Sequence, residues 1–231
     1  MPLTPLAQLV DKVDSFEIIR DQIAAILLTE TASQQALAVA ALPPRDPGKW
    51  ALRVFTERTN PWGEFVELDA DADPTPIVNV TYNGSSFDER ASNVIERQRA
   101  SSTYYIDCYT AAASEETDAG HTPGDQRAAI EVQRVVRLVR NYLMAGQYTY
   151  LGLRPIVARR WPSGIETFAP PNDAKAVQRL GIARLTLQVM HDEHSPQTVG
   201  EPLELISVNV QRAPSGELSF CQVTLTGAEQ P

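Results

Sequence analysis

The chain has 231 residues, 43% of them hydrophobic, which is enough apolar material for a folded domain with a sizeable core. Its 29 acidic and 20 basic residues give a formal net charge of −9, which repels a phosphate backbone and excludes duplex nucleic acid as a first choice of partner. The first apolar stretch follows charged residues rather than a basic leader, and the uncharged run 22–29 is shorter than the roughly 20 residues that span a bilayer. We therefore predict a soluble protein with no membrane partner.

The first predicted element is an amphipathic helix. Residues Asp14 to Glu17 have the form of a capping box, in which the first and fourth residues bond each other's backbone amides. Apolar side chains then recur at helical spacing, at Phe16, Ile19, Ile23, Ile26 and Leu27. A second, alanine-rich helical stretch is predicted for residues 32–42, where two prolines end it.

After residue 50 the apolar side chains recur at every second position, which indicates strands. We predict a hairpin over residues 50–68 and strands over 77–82 and 104–109. Residues 85–102 are polar and carry both charges, so an exposed loop is predicted there. The small, acidic residues 111–120 are predicted to form a connector.

The most clearly marked element is a long helix from Pro123 to about Gly146. Thr122 to Asp125 provide a cap, a proline and an acidic first turn, which suit the free amides at a helix start. The predicted buried stripe is Val132, Val135, Val136, Val139 and Leu143. Three arginines point elsewhere, towards water or towards a neighbouring subunit: Arg134, Arg137 and Arg140.

The remaining pattern predicts a short strand at 155–158, a loop at 159–164, a short helix at 174–180, and strands at 182–190, 203–210 and 218–225. Together the elements predict an α+β fold, with an antiparallel or mixed β-sheet and helices packed on one face. We expect one domain over residues 1–231, with inserted loops at about 83–103 and 146–173.

Few residues in the chain have the pattern of an active site. The segment from His191 to His194 contains two imidazoles and two carboxylates, but the histidines are three residues apart, whereas the helical zinc motif needs four. An exposed polar loop is the preferred interpretation, and a metal-dependent enzyme that uses His191 and His194 is the alternative. Acidic residues 69–73 are predicted to be solvated, with weak calcium binding left open.

The other candidates for chemistry also have simpler explanations. The glycines form no phosphate-binding motif, so no cofactor is predicted, and neither is any catalytic or metal-binding residue. Cys108 and Cys221 lie in apolar runs and are predicted to be buried free thiols, although a disulfide between them stays open. The group Arg159, Arg160 and Trp161 has the composition of a protein–protein hot spot, which we prefer to a base-stacking site.

In its order of elements the chain resembles the tail terminator and tail completion proteins of tailed bacteriophages, which form part of the neck between capsid and tail. The resemblance covers most of the chain, from the opening helix at 16–28 through the strands at 50–68, 77–82 and 104–109. It continues through the helix 123–145 to the paired strands 182–190 and 203–210. The predicted insertions have no counterpart in that pattern.

The resemblance implies a virion protein, found in the host cytoplasm during assembly, that forms a homo-oligomeric ring, typically a hexamer. Such a ring caps the tail tube protein, meets the head–tail connector protein, and lets DNA pass without sequence-specific contacts. Other neck or baseplate components, such as a head–tail stopper, fit the same pattern. The candidate subunit-interface residues are Arg134, Arg137, Arg140, Arg159, Arg160 and Trp161.

Overall fold

The computed structural model of the chain describes residues 13–66, 74–88, 97–117, 120–168, 179–194, 205–212 and 218–226. It divides into two compact units, residues 13–195 and a second unit made of 1–12 with 196–231, each of which is described by itself. The prediction of one domain over the whole chain stays a prediction. In chain order the elements are α1 (Ser15–Ala40), β1 (Arg53–Thr56), α2 (Gly63–Val66), β2 (Ile77–Phe87), β3 (Arg97–Ala112), β4 (Glu115–Thr117), β5 (Gly120–Thr122), α3 (Gly124–Met144), β6 (Val157–Phe168), β7 (Arg179–His194), β8 (Leu205–Arg212) and β9 (Leu218–Thr226).

The larger unit is built on a five-stranded mixed sheet in the order β1-β2-β3-β7-β6. β1 runs parallel to β2, and all the other neighbours are antiparallel. β4 and β5 form a separate short hairpin, and β8 pairs with β9 in the second unit. The predicted α+β class with an antiparallel or mixed sheet is therefore confirmed.

The main core lies between one face of this sheet and the two long helices. Because side chains alternate across a strand, β3 and β7 each send every second residue into that core. Fully buried examples are Ile106 and Leu185, which pack with Ile23 of α1 and with Val135 and Val139 of α3. The helices thus cover one sheet face, as predicted.

A smaller cluster covers one end of the opposite face. Phe65 of the short helix α2 packs there against Ile77 and Tyr109, and the Trp62 ring lies 5.5 Å from the Tyr109 ring, centroid to centroid. The rest of that face carries polar side chains such as Arg184.

Helix α1 begins as predicted. The backbone amide of Asp14 donates to Glu17 Oε2 at 3.1 Å, which is one half of the capping box. The separate helix predicted over 32–42 is instead the continuation of α1, which ends at Ala40. By length and composition α1 meets the criteria for a membrane span, yet Ile19, Ile23 and Leu27 are fully buried in the core of this unit.

Several predicted loops and turns are wrong. The exposed loop predicted over 85–102 contains the paired ends of β2 and β3, and the loop predicted over 159–164 lies within β6. The connector predicted over 111–120 includes the end of β3, β4 and the start of β5. The predicted hairpin over 50–68 is β1 followed by α2, because β1 pairs with β2 rather than with the segment after it.

Some predictions lie outside the described residues. These are the acidic segment 69–73 and most of the short helix predicted over 174–180, of which only the last two residues are described, as part of β7. The other predicted strands are present, but four of them are longer than predicted. β2 ends at Phe87 instead of residue 82, β3 begins at Arg97 instead of residue 104, β6 ends at Phe168 instead of residue 158, and β7 extends to residues 179 and 194 on either side of the predicted 182–190. β8 and β9 differ from the prediction by one or two residues at their ends.

Candidate functional site

A cleft of about 290 Å³ lies where α3 meets the 3₁₀ turn Pro47–Trp50. The turn is preset by Pro47 at its first position, and the Asp46 side chain accepts a hydrogen bond from the Gly48 amide at 2.8 Å. Its lining combines an indole and an aliphatic side chain with an amide and three cations. The lining residues are Lys49, Trp50, Arg134, Arg137, Leu138 and Asn141.

Arg134 holds the two walls of this cleft together. It contacts Glu131, one turn earlier on α3, through hydrogen bonds of 3.0 and 2.9 Å from its Nε, and its Nη1 also donates to the carbonyl oxygen of Lys49. One guanidinium thus joins α3 to a turn that lies 85 residues earlier in the sequence. Because its charge is paired and its donors are in use, Arg134 supports the cleft rather than supplying its free charge.

Two other cations at the cleft are available to a ligand or partner. Within the described part of the chain, neither Arg137 nor Lys49 makes a side-chain hydrogen bond or an ion pair, and both residues are exposed. Arg140, one turn further along α3, is exposed as well but does not line the cleft. The cleft therefore has free positive charge on its rim and apolar surface inside, which suits a carboxylate or phosphate attached to an apolar group.

Arg160 has a role inside the chain. Its guanidinium donates to the carbonyl oxygens of Tyr148, at 2.5 Å, and Ala145, at 2.8 Å, just after the last turn of α3. Each of these oxygens also accepts a backbone hydrogen bond, from the amides of Leu151 and Tyr148 respectively. Desolvation of this half-buried guanidinium lowers its pKa below the usual value for arginine. Arg159 stacks on the ring of Trp161, with 5.0 Å between the guanidinium carbon and the ring centroid. These predicted interface residues lie on β6 rather than in a loop.

The histidine segment is also not the exposed loop that we predicted. His191 lies within β7 and is 1% exposed, because β7 continues through residue 194 alongside β3. Its Nε2 lies 2.7 Å from Ser102 Oγ, and that hydroxyl lies 2.5 Å from Ser85 Oγ, which in turn lies 2.7 Å from the Tyr82 hydroxyl. A chain of four polar groups thus runs from the half-buried Tyr82 to the core.

Ser102, His191 and Glu193 follow one another in this cluster in the same order as the serine, histidine and carboxylate of a hydrolase active site, in which the histidine is the base that activates the serine. Here, however, Ser102 is fully buried, so no substrate carbonyl reaches its oxygen in this structure. The third member is poorly placed, since His191 Nδ1 lies 3.8 Å from Glu193 Oε2 and has no hydrogen-bond partner. Glu193 Oε1 instead accepts a hydrogen bond from the Ser15 amide at the start of α1. The cluster therefore joins β7 to α1 and does not form an accessible catalytic site.

Burial favours the neutral form of this histidine. It lowers the pKa of His191, and the nearby Glu193 and Asp192 offset that shift only in part. No group of three or more metal-ligating side chains occurs in the described ranges, which do not include the side chain of His194. Cys108 is a free thiol, as predicted, and its burial raises its pKa.

A second cleft, of about 400 Å³, lies on the polar face of the sheet. Its cation, Arg184, makes two hydrogen bonds to Asp107, at 2.7 and 2.9 Å, and lies over the ring of Tyr105 at 4.0 Å. Since these contacts occupy both the charge and the flat face of the guanidinium, this cleft offers less to an anionic partner than the first.

The sequence pointed to Arg134 and Arg137 but gave no sign of the cleft. Lys49 and Trp50 were missed, because no local pattern indicates that the turn before β1 packs on a helix 85 residues later. In comparison with known proteins, no family model matches the chain and no curated protein matches it.

Proposed function

We propose that this chain is a structural subunit of a phage-type tail, a tail terminator that forms a ring, caps the tail tube and joins it to the head-proximal connector. Its ring is hexameric in this proposal, and its work is done by surfaces rather than by an active site. The observation that carries the proposal is the pair of unpaired, exposed cations, Lys49 and Arg137, at a cleft on a chain with net charge −9.

Two features of the larger unit support this function. Free positive charge on an acidic protein suits an acidic protein surface, including that of a second copy of the chain. In addition, the polar cluster with the composition of a catalytic site is enclosed in the core, where Ser102 and His191 are both buried. A closed ring needs two different complementary surfaces on each subunit, and a positive cleft provides one of them.

The proposal is tested by the mass of the purified chain in solution followed by imaging. We expect native mass spectrometry to show about six copies, and negative-stain electron microscopy to show closed rings. A protein that stays monomeric at concentrations well above those of its assembly in the cell would contradict the proposal. If rings form, proteomic analysis of isolated necks and baseplates from a particle that contains the chain separates the terminator from a head–tail stopper or a baseplate subunit.

A further inference from the structure

We propose that the cleft formed by Lys49, Trp50, Arg134, Arg137, Leu138 and Asn141 binds the acidic β4–β5 hairpin of a second copy of this chain, with Glu116 entering the cleft. This inference rests on the proposed ring and names the two surfaces that meet between neighbouring subunits.

The hairpin carries exposed negative charge, which the cleft lacks. Glu116 has 80% of its side chain exposed, and its carboxylate contacts only the exposed His121 ring, at 2.7 Å, among the described residues. Glu115 is half exposed and pairs with Arg127 at 3.2 Å. Asp125, in the first turn of α3, is exposed as well. This end of the unit is therefore acidic.

Both surfaces are attached firmly to the same helix. At the start of α3, the Gly124 amide donates to Ser114 Oγ at 3.1 Å, and Arg127 donates to the Ala113 carbonyl oxygen at 3.0 Å. The Gly124 backbone packs so closely on Ala112 that an added Cβ would lie 2.6 Å from the Ala112 carbonyl oxygen. These contacts fix the hairpin to α3, as Arg134 fixes the cleft to it.

The two surfaces lie apart along the helix axis. Thirteen residues separate Gly124 from Arg137, which corresponds to about 20 Å at the α-helical rise. A negative surface at one end of α3 and a positive cleft towards the other cannot neutralise each other within one subunit, because the distance exceeds the screening length of about 8 Å. Paired between copies, they give a head-to-tail contact, which is the type that closes into rings.

The size of the cleft favours a side chain over a free small molecule. At about 290 Å³ it is at the lower limit of ligand pockets, and it is lined by only six residues. A carboxylate on a short aliphatic stem fits the free Arg137 and Lys49 at the rim, with its methylene groups against Trp50 and Leu138. Strongly anionic polymers are disfavoured by the net charge of −9.

The inference is tested by charge reversal on each surface and on both together. We expect Arg137→Glu and Glu116→Arg each to weaken self-association about a hundredfold, because each places like charges in contact. The variant that carries both changes restores the opposite-charge pair and should return to within about tenfold of the unmodified chain. Sedimentation equilibrium over a range of concentrations measures the dissociation constants of the unmodified chain and of the three variants.

Two matched controls separate the cleft from a general charge effect. Arg140→Glu makes the same charge change on the same helix outside the cleft, and Glu166→Arg changes an exposed carboxylate on the polar face of the sheet. We expect both controls to weaken association much less than the test variants. Circular dichroism melting verifies folding, and Arg137→Gln provides a milder change if Arg137→Glu fails to fold.

The outcomes distinguish this inference from the proposed function. If the unmodified chain forms rings and Arg137→Glu forms them equally well, or if Arg140→Glu is as damaging as Arg137→Glu, the cleft–hairpin contact is wrong and the ring stands. If the double variant folds but does not recover association, the pairing of these two surfaces is wrong. If the unmodified chain is a monomer throughout, both proposals fall.

Discussion

At Gly181 in β7 the sheet lies so close to α3 that there is no room for a side chain. A Cβ added there would lie 2.5 Å from the carbonyl oxygen of Ala128 and 2.8 Å from Oγ1 of Thr110. Those two oxygens are themselves joined by a buried hydrogen bond of 2.9 Å, donated by the threonine hydroxyl. The substitution Gly181→Ala must therefore move helix and strand apart and strain or break that bond.

The expected loss follows from these two effects. Overpacking costs about 1–3 kcal/mol, and a buried hydrogen bond left unmade costs about 1–3 kcal/mol, so we expect unfolding to become easier by roughly 3 kcal/mol. For a chain of this size that corresponds to a melting temperature lower by about 6–12 °C. Urea unfolding followed by tryptophan fluorescence is the assay, since all three tryptophans lie in the larger unit.

A second glycine provides the control. Gly164 in β6 has no atom within 4 Å of an added Cβ, and its backbone is not in the left-handed region. Gly164→Ala should therefore change the free energy of unfolding by no more than about 0.5 kcal/mol. If Gly181→Ala unfolds at the same urea concentration as Gly164→Ala, the close approach of α3 and β7 is refuted, and with it the packing of the long helix on the sheet.

Two further predictions concern polar groups in the larger unit. Burial lowers the pKa of His191 from its ordinary value of 6.5, so the unfolded chain binds this proton more readily than the folded chain does. The free energy of unfolding should therefore fall as the pH drops below 6.5 and level off below the native pKa. In urea titrations, His191→Gln should remove that part of the pH dependence. Arg160→Ala should destabilise the unit by about 1–3 kcal/mol in the same assay, because it removes two hydrogen bonds from a charged group to the carbonyl oxygens of Ala145 and Tyr148, which keep only their backbone donors. Arg159→Ala breaks only a surface stacking contact and should cost less than about 1 kcal/mol.

The starts of the two long helices were predictable because their signals are local, whereas the short helix α2 lies in the predicted hairpin and the end of α1 was wrongly assigned to a separate helix. In α3 the predicted stripe, including Val132, Val139 and Leu143, is buried, and the helix begins within one residue of the predicted position, at Gly124. Pro123 stands just before the first helical residue rather than inside the helix. A 3.6-residue period repeated over six turns is a strong pattern that tertiary contacts seldom override.

The paired ends of β2 and β3 were not predictable in the same way. Ser85 and Ser102 have no apolar pattern, yet their hydroxyls bond each other within the sheet, and the backbone pairing continues out to Phe87. Strand length there is determined by the partner strand, which local sequence does not report. For the same reason His191, which follows an alternating apolar run, was placed in a loop although β3 extends the pairing through residue 194.

The candidate site shows the same division between local and distant information. The sequence indicates that Arg134, Arg137 and Arg140 lie off the buried face of α3, but their spacing makes the three look equivalent. Only the fold separates them, because the turn that ends at Trp50 packs beside the helix and takes up Arg134 through the Lys49 carbonyl oxygen. Arg137 is then left unpaired at the rim of the cleft, and Arg140 is left outside it. A contact surface of this kind depends on which charges the protein's own fold has already neutralised, so charge reversal at these three positions should have three different effects.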